Sequence, residues 1–138
     1  MQVSGLHHIG YVVPRIGPAL SRFVDEGARV LVEPIDDPIQ KVTVALLSCD
    51  GDVPIELVAP TPGLDSPVEA RLRRGGGFDH LCYSVRDVAA SLGEEEERGS
   101  LIVCQPVFAV AFTRTIGFVQ RRSGMVVEYI SDEEATPA

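Results

Sequence analysis

The chain has no surplus of positive charge, few cysteines and no long apolar run, and each shortage closes off a class of function. Over 138 residues, 12 Lys and Arg face 20 Asp and Glu, a formal net charge of −8. A nucleic-acid binder needs a basic surface that displaces counterions from phosphates, so nucleic acid is excluded as a partner. Three cysteines, Cys49, Cys82 and Cys104, are odd in number and widely spaced. They give neither a disulfide framework nor a Cys-x-x-Cys zinc knuckle, and they read as buried free thiols. No apolar stretch approaches the length of a membrane span, and Met1-Gln2-Val3-Ser4-Gly5 has no basic region followed by an apolar run. A cytoplasmic protein away from membranes is the expectation.

What the chain does have is a repeat. Leu6-His7-His8-Ile9-Gly10-Tyr11-Val12-Val13 returns 72 residues later as Phe78-Asp79-His80-Leu81-Cys82-Tyr83-Ser84-Val85. The same offset carries Ile55-Glu56-Leu57-Val58 onto Val127-Glu128-Tyr129-Ile130. Two copies of one supersecondary unit, each with one His and one Glu, make a four-ligand metal site the leading reading: His8, Glu56, His80 and Glu128.

The element pattern fits two copies. Leu6 to Val13 is a strand ended by Pro14, and Gly17-Pro18 opens a helix in which Ala19, Leu20, Phe23 and Val24 sit at helical spacing. Gly27 stops it. Strands follow at Arg29 to Glu33, Lys41 to Cys49 and Val53 to Ala59, with Pro34 to Pro38 as a loop and Asp50-Gly51-Asp52 as a hairpin turn. The second copy runs strand Phe78 to Val85, helix about Arg86 to Arg98, and strands Leu101 to Cys104, Phe112 to Arg121 and Met125 to Ile130. The expected architecture is therefore α+β, two tandem βαβββ modules in a single domain over 1–138. Module 1 covers about 5–60, a linker and short helix 61–77, module 2 about 78–131, and residues 132–138 form an acidic, disordered tail. Ser66-Pro67-Val68-Glu69 has the form of a capped helix start.

Strand parity puts His8 with Leu6, Gly10 and Val12, and His80 with Phe78, Cys82 and Ser84. Glu56 lies between Ile55 and Leu57, and Glu128 between Val127 and Tyr129. A carboxylate in such apolar company is costly unless its charge is met, and a divalent cation meets it. Two imidazoles and two carboxylates suit one ion of Co, Mn, Ni, Zn or Fe and, in octahedral geometry, leave two positions open. Several other residues carry two readings. Arg114 either reaches the cavity to hold a carboxylate or phosphate or pairs with a surface acid, and Gln40 either bonds a substrate or faces water. Arg71, Arg73 and Arg74 either meet the phosphates of a substrate or form a solvated helix face. Cys82 reads as inert packing, Glu94 to Glu97 as a solvated run, and Gly75-Gly76-Gly77 as a flexible lead-in to the strand of His80.

With these units and ligand positions, the chain resembles the vicinal oxygen chelate superfamily (glyoxalases, bleomycin-resistance proteins and dioxygenases). Leu6-His7-His8-Ile9-Gly10, Ile55-Glu56-Leu57-Val58-Ala59-Pro60, Ser66-Pro67 followed by a basic helix and glycines, and Gly124-Met125-Val126-Val127-Glu128 are similar to motifs of its methylmalonyl-CoA epimerase family. The resemblance implies a cup-shaped mixed sheet around a metal bound by His8, Glu56, His80 and Glu128, with Glu128 also moving the substrate proton. It implies a metal-dependent isomerase that stabilises an enolate after α-proton abstraction, with an acyl-CoA thioester as small-molecule substrate, and a homodimer. Two alternatives stand beside it: a lactoylglutathione lyase-like lyase or isomerase on another α-oxygenated substrate, and a non-catalytic protein that binds a small ligand or antibiotic. The resemblance departs at Val44, where some epimerases place a second carboxylate, and at His7, which replaces an Asp.

Overall fold

Each half of the chain lays down the same elements at the same spacing. The computed structural model describes residues 3–137. Met1 and Gln2, part of the N-terminal stretch read above, and Ala138, the end of the expected tail, lie outside the described residues. The first module is β1 (Gly5–Val12), α1 (Ile16–Asp25), β2 (Arg29–Asp37), β3 (Val42–Ser48) and β4 (Ile55–Pro60). A short helix, α2 (Glu69–Arg73), precedes the second module: β5 (Gly77–Val85), α3 (Val88–Glu97), β6 (Leu101–Ala109), β7 (Arg114–Gln120) and β8 (Val126–Ser131). The chain divides into two compact units, His8–Asp79 and His80 onward together with the residues up to His7.

Within the first module the strands run β2-β3-β4-β1, and within the second β6-β7-β8-β5. In each, the first and last strands pair in parallel and the others antiparallel. The 72-residue repeat holds to the residue: Gly10 opposite Glu56 becomes Cys82 opposite Glu128, and Val32 opposite Leu46 becomes Cys104 opposite Phe118. Even the irregularities recur. β2 and β6 shift register at matching points, and Lys41 and Thr113 share a left-handed backbone at φ 61° and 52°.

Strand parity sorts the faces as the alternation requires. Ala45, Leu47, Leu57 and Ala59 face α1, where they meet Ile16 and Leu20. Val119, Val127 and Tyr129 do the same against Val88 and Leu92 of α3. The opposite face of the second module holds Cys82, Ala109, Ile116 and Ile130. At about 25 cal/mol per Å², burying such side chains stabilises each module by about 1.5–3 kcal/mol per residue before entropy is counted.

Five expectations about local structure are corrected. β2 continues through Pro34 to Asp37 rather than stopping at Glu33, and β6 continues through Pro106 to Ala109 rather than stopping at Cys104. Both lie at the end of their module's strand order, where a proline's missing N–H breaks no ladder bond. Ser66 is not the N-cap of α2: Val68 holds that position, and the Ser66 hydroxyl instead accepts from the Val68 N–H at 3.5 Å. The tail is tied down as far as Ala135, whose N–H donates to Thr113 O at 2.8 Å, while the Asp132 N–H donates to Val85 O at 2.8 Å. Finally, Glu95 is not solvated; its side chain is buried among hydrogen-bond donors described below.

Candidate functional site

In the first module, parallel pairing sets Gly10 of β1 beside Glu56 of β4. His8, two residues earlier on β1, shares the face of Gly10, and its imidazole turns toward the carboxylate. His8 Nε2 lies 3.5 Å from Glu56 Oε1, with His8 0% and Glu56 6% exposed. The second module builds the same pair from Cys82 beside Glu128. His80 Nε2 lies 3.1 Å from Glu128 Oε1, and both residues are 2% exposed. The His80 ring stands edge-on to Phe118 with centroids 5.2 Å apart. Phe118 is opposite Glu128 in the ladder, so one aromatic flanks both members of the pair.

All four residues are of metal-ligating types. Two ligands bound side by side on an octahedral ion at about 2.1 Å stand about 3 Å apart. The nitrogen-to-oxygen separations of 3.5 and 3.1 Å are close to that spacing, and the mixed imidazole and carboxylate set suits a borderline divalent ion. The donors therefore fit such a metal. Burial, then the negative charge of Glu128, pushes the Cys104 thiol upward, and Cys82 packs with Ala109, Ile116 and Ile130.

The two polar residues expected to meet substrate are engaged within the protein. Arg114 Nη1 donates to Ser131 O at 3.2 Å and Asp132 O at 3.1 Å, which fastens the end of β8. Gln40 Nε2 donates to Asp37 Oδ2 at 2.8 Å. The other oxygen of buried Asp37 accepts from the N–H groups of Ile39 and Gln40, both at 3.0 Å, so Asp37 organises the β2–β3 turn. The signal for this was present as Asp-x-x-Gln across a turn. Val44, at the position of the absent carboxylate, is buried opposite Val58, and its counterpart Ile116 opposite Ile130. Neither β3 nor β7 contains an acid.

Behind the second pair lies a polar knot. The Tyr129 hydroxyl donates to Glu95 Oε2 at 2.6 Å, Arg121 Nε donates to the same oxygen at 3.1 Å, and the Ser100 hydroxyl donates to Oε1 at 3.0 Å. Burial alone would raise the Glu95 pKa, but these bonds and the Arg121 charge outweigh it and hold the carboxyl below its ordinary range. Burial and then the Glu95 bond push the Tyr129 phenol up to about 12.

Comparison with known proteins places this geometry. The chain is 28% identical over 103 residues to an ethylmalonyl-CoA/methylmalonyl-CoA epimerase of Cereibacter sphaeroides, covering 73% of this chain and 75% of that protein. The structure of methylmalonyl-CoA epimerase from Mycobacterium tuberculosis superposes with a TM-score of 0.80 at 25% identity, over 99% of this chain and 89% of that one. A Streptomyces coelicolor methylmalonyl-CoA epimerase variant in complex with 2-nitronate-propionyl-CoA has the same fold, with a TM-score of 0.79 at 20% identity over 94% and 98% of the two chains. Residues 5–118 match the profile of the glyoxalase/bleomycin resistance protein/dioxygenase superfamily. With its duplicated βαβββ module and a buried His–Glu pair in each copy, the chain belongs to that superfamily.

Proposed function

We propose that this protein is a metal-dependent isomerase acting on an acyl-CoA thioester of the methylmalonyl type, exchanging the proton on the carbon beside the thioester carbonyl. The observation that carries the reading is the repeated pair, His8 with Glu56 and His80 with Glu128, each buried and at near-ligand spacing. Likeness to epimerases of this substrate class supports it. In the proposal, His8, Glu56, His80 and Glu128 jointly hold one divalent ion. Such an ion, when bound, supplies Lewis-acid polarisation of the substrate's carbonyl oxygen.

The chain's own residues do the rest. Glu128 takes the α-proton: it is fixed on β8 between Val127 and Tyr129, both fully buried, so its carboxylate has little freedom to wander. Phe118 and the apolar neighbours Ile116 and Ile130 exclude water, which strengthens the electrostatic interactions on which proton removal depends.

Incubating the metal-loaded protein with methylmalonyl-CoA in D2O tests this directly. Deuterium should enter at the α-carbon, read by mass spectrometry, and no incorporation by fully metallated protein sinks the assignment. A second reading draws on Val44 and Ile116, which leave β3 and β7 without an acid. A lyase or isomerase that needs one base, acting on another α-oxygenated substrate in the manner of lactoylglutathione lyase, meets that condition. Exchange at the α-carbon of such a compound, with none at methylmalonyl-CoA, would select it.

A further inference from the structure

We infer that Phe118 limits the length of the alkyl branch on the substrate's reacting carbon, its ring standing as a fixed apolar wall beside Glu128. The inference rests on the proton-exchange reading above and adds which substituent the site admits. Glu128 has two neighbours across the ladder, Cys82 on β5 and Phe118 on β7. Side chains directly opposite each other in a sheet share a face, with β-carbons about 4.5–5.5 Å apart. Cys82 is 0% exposed, whereas Phe118 is only partly buried. A carbon brought to the Glu128 carboxylate therefore meets the Phe118 ring. That ring has little room to retreat. It packs against the cluster of Cys82, Ala109, Ile116 and Ile130, and the His80 ring stands edge-on to it at an interplanar angle of 85°.

The chemistry of this face selects the substituent. Cys82, Ile116 and Ile130 are fully buried and, with Phe118, offer a carboxylate no cation. Arg114, further along β7, is engaged by Ser131 O and Asp132 O. The group that lies against Phe118 is therefore the apolar one, the alkyl branch, and not a carboxylate or the thioester oxygen. The repeat shows what Phe118 adds. Glu56, the equivalent carboxylate of the first module, lies between Gly10 and Leu46, at the places where Glu128 has Cys82 and Phe118. The second module thus carries the bulkier residue on both sides of its carboxylate. A longer branch must displace a braced ring, and close-packed surroundings resist that. Leucine at position 118 repeats the first module's own filling, so the fold accommodates it.

The full-length, metal-loaded protein tests this with methylmalonyl-CoA and ethylmalonyl-CoA as probes, each read by binding calorimetry and by deuterium exchange at the α-carbon. The unmodified protein should favour the methyl-branched thioester, and Phe118→Leu should reduce that preference about tenfold, since one methylene in an apolar pocket is worth about 10–200-fold. Phe118→Met, which keeps a long apolar side chain, should keep part of it. Equal treatment of the two thioesters by the unmodified protein, or a preference undiminished in Phe118→Leu, overturns the proposal. A merely structural role for the ring would weaken both substrates alike and leave their ratio unchanged. The two readouts keep the wall apart from the reaction. Exchange whose methyl-to-ethyl ratio ignores residue 118 removes the wall but spares the reaction. A binding preference that depends on Phe118, without exchange, removes the reaction but spares the wall.

Discussion

Glu95 and its partners have exact counterparts 72 residues earlier, and those counterparts are apolar. Glu95, Ser100, Arg121 and Tyr129 stand where the first module has Phe23, Ala28, Cys49 and Leu57, which pack in its core. One architecture thus accepts either a greasy or a fully bonded polar filling, provided every buried polar atom finds a partner. Tyr129→Phe removes one donor from Glu95 and should cost about 1–3 kcal/mol, read as a lower urea midpoint with an unchanged slope. The pH dependence follows from the lowered Glu95 pKa. A carboxyl that ionises more readily folded than unfolded adds stability in full above its ordinary value of 4.5, and loses it as pH falls through the lower folded value. Denaturation midpoints from pH 6 to 3 should therefore fall less steeply in Glu95→Gln. The burial of Glu95 was legible in principle, since Val88, Leu92 and Glu95 share one helical face, but four consecutive glutamates mask that phase. If the second His–Glu pair holds metal as proposed, His80→Ala should leave a folded protein with lower metal content by elemental analysis and reduced heat resistance. Unchanged metal content would show that His80 is not a ligand.

Among the elements, the strands that carry the two His–Glu pairs were readable and the strands at the end of each module's order were not. β1, β4, β5 and β8 are largely apolar and free of internal proline, so the two-residue period of a strand alone assigned His8, Glu56, His80 and Glu128 to their faces. β2 and β6 contain Pro34 and Pro106 and shift register around them, and a proline ordinarily signals a strand's end. Only their place at the end of each module's strand order lets the pairing run on. Two glycines offer a contrast at this scale. Gly76→Ala combines a left-handed backbone with a close approach to Val12 O and should destabilise by about 1–3 kcal/mol. Gly93→Ala lies on the exposed side of α3 with open space around its α-carbon and should stabilise by about 0.5–1 kcal/mol. Opposite shifts of the thermal midpoint would confirm both accounts.

For the molecule as a whole, the one-ion proposal has a consequence that no single pair has. If His8 with Glu56 and His80 with Glu128 share one cation, His8→Ala and His80→Ala each remove the same stabilisation, and the double variant loses no more. A saturating ligand at 100 times its dissociation constant is worth about 2.7 kcal/mol, so the metal-induced rise in the unfolding midpoint is measurable. Losses that add in the double variant, or two ions per chain, would assign a separate ion to each pair. The sequence by itself determined the duplication, the face of every inner strand and the two His–Glu pairs, because repeat offset and strand alternation are local properties that survive without knowledge of distant neighbours. Only the tertiary structure decided which polar side chains were already engaged: Gln40 by Asp37, Arg114 by the end of β8, Glu95 by Tyr129, Arg121 and Ser100. Such partners lie on different elements, and which donor reaches which acceptor depends on how those elements pack, a long-range outcome that no local pattern encodes.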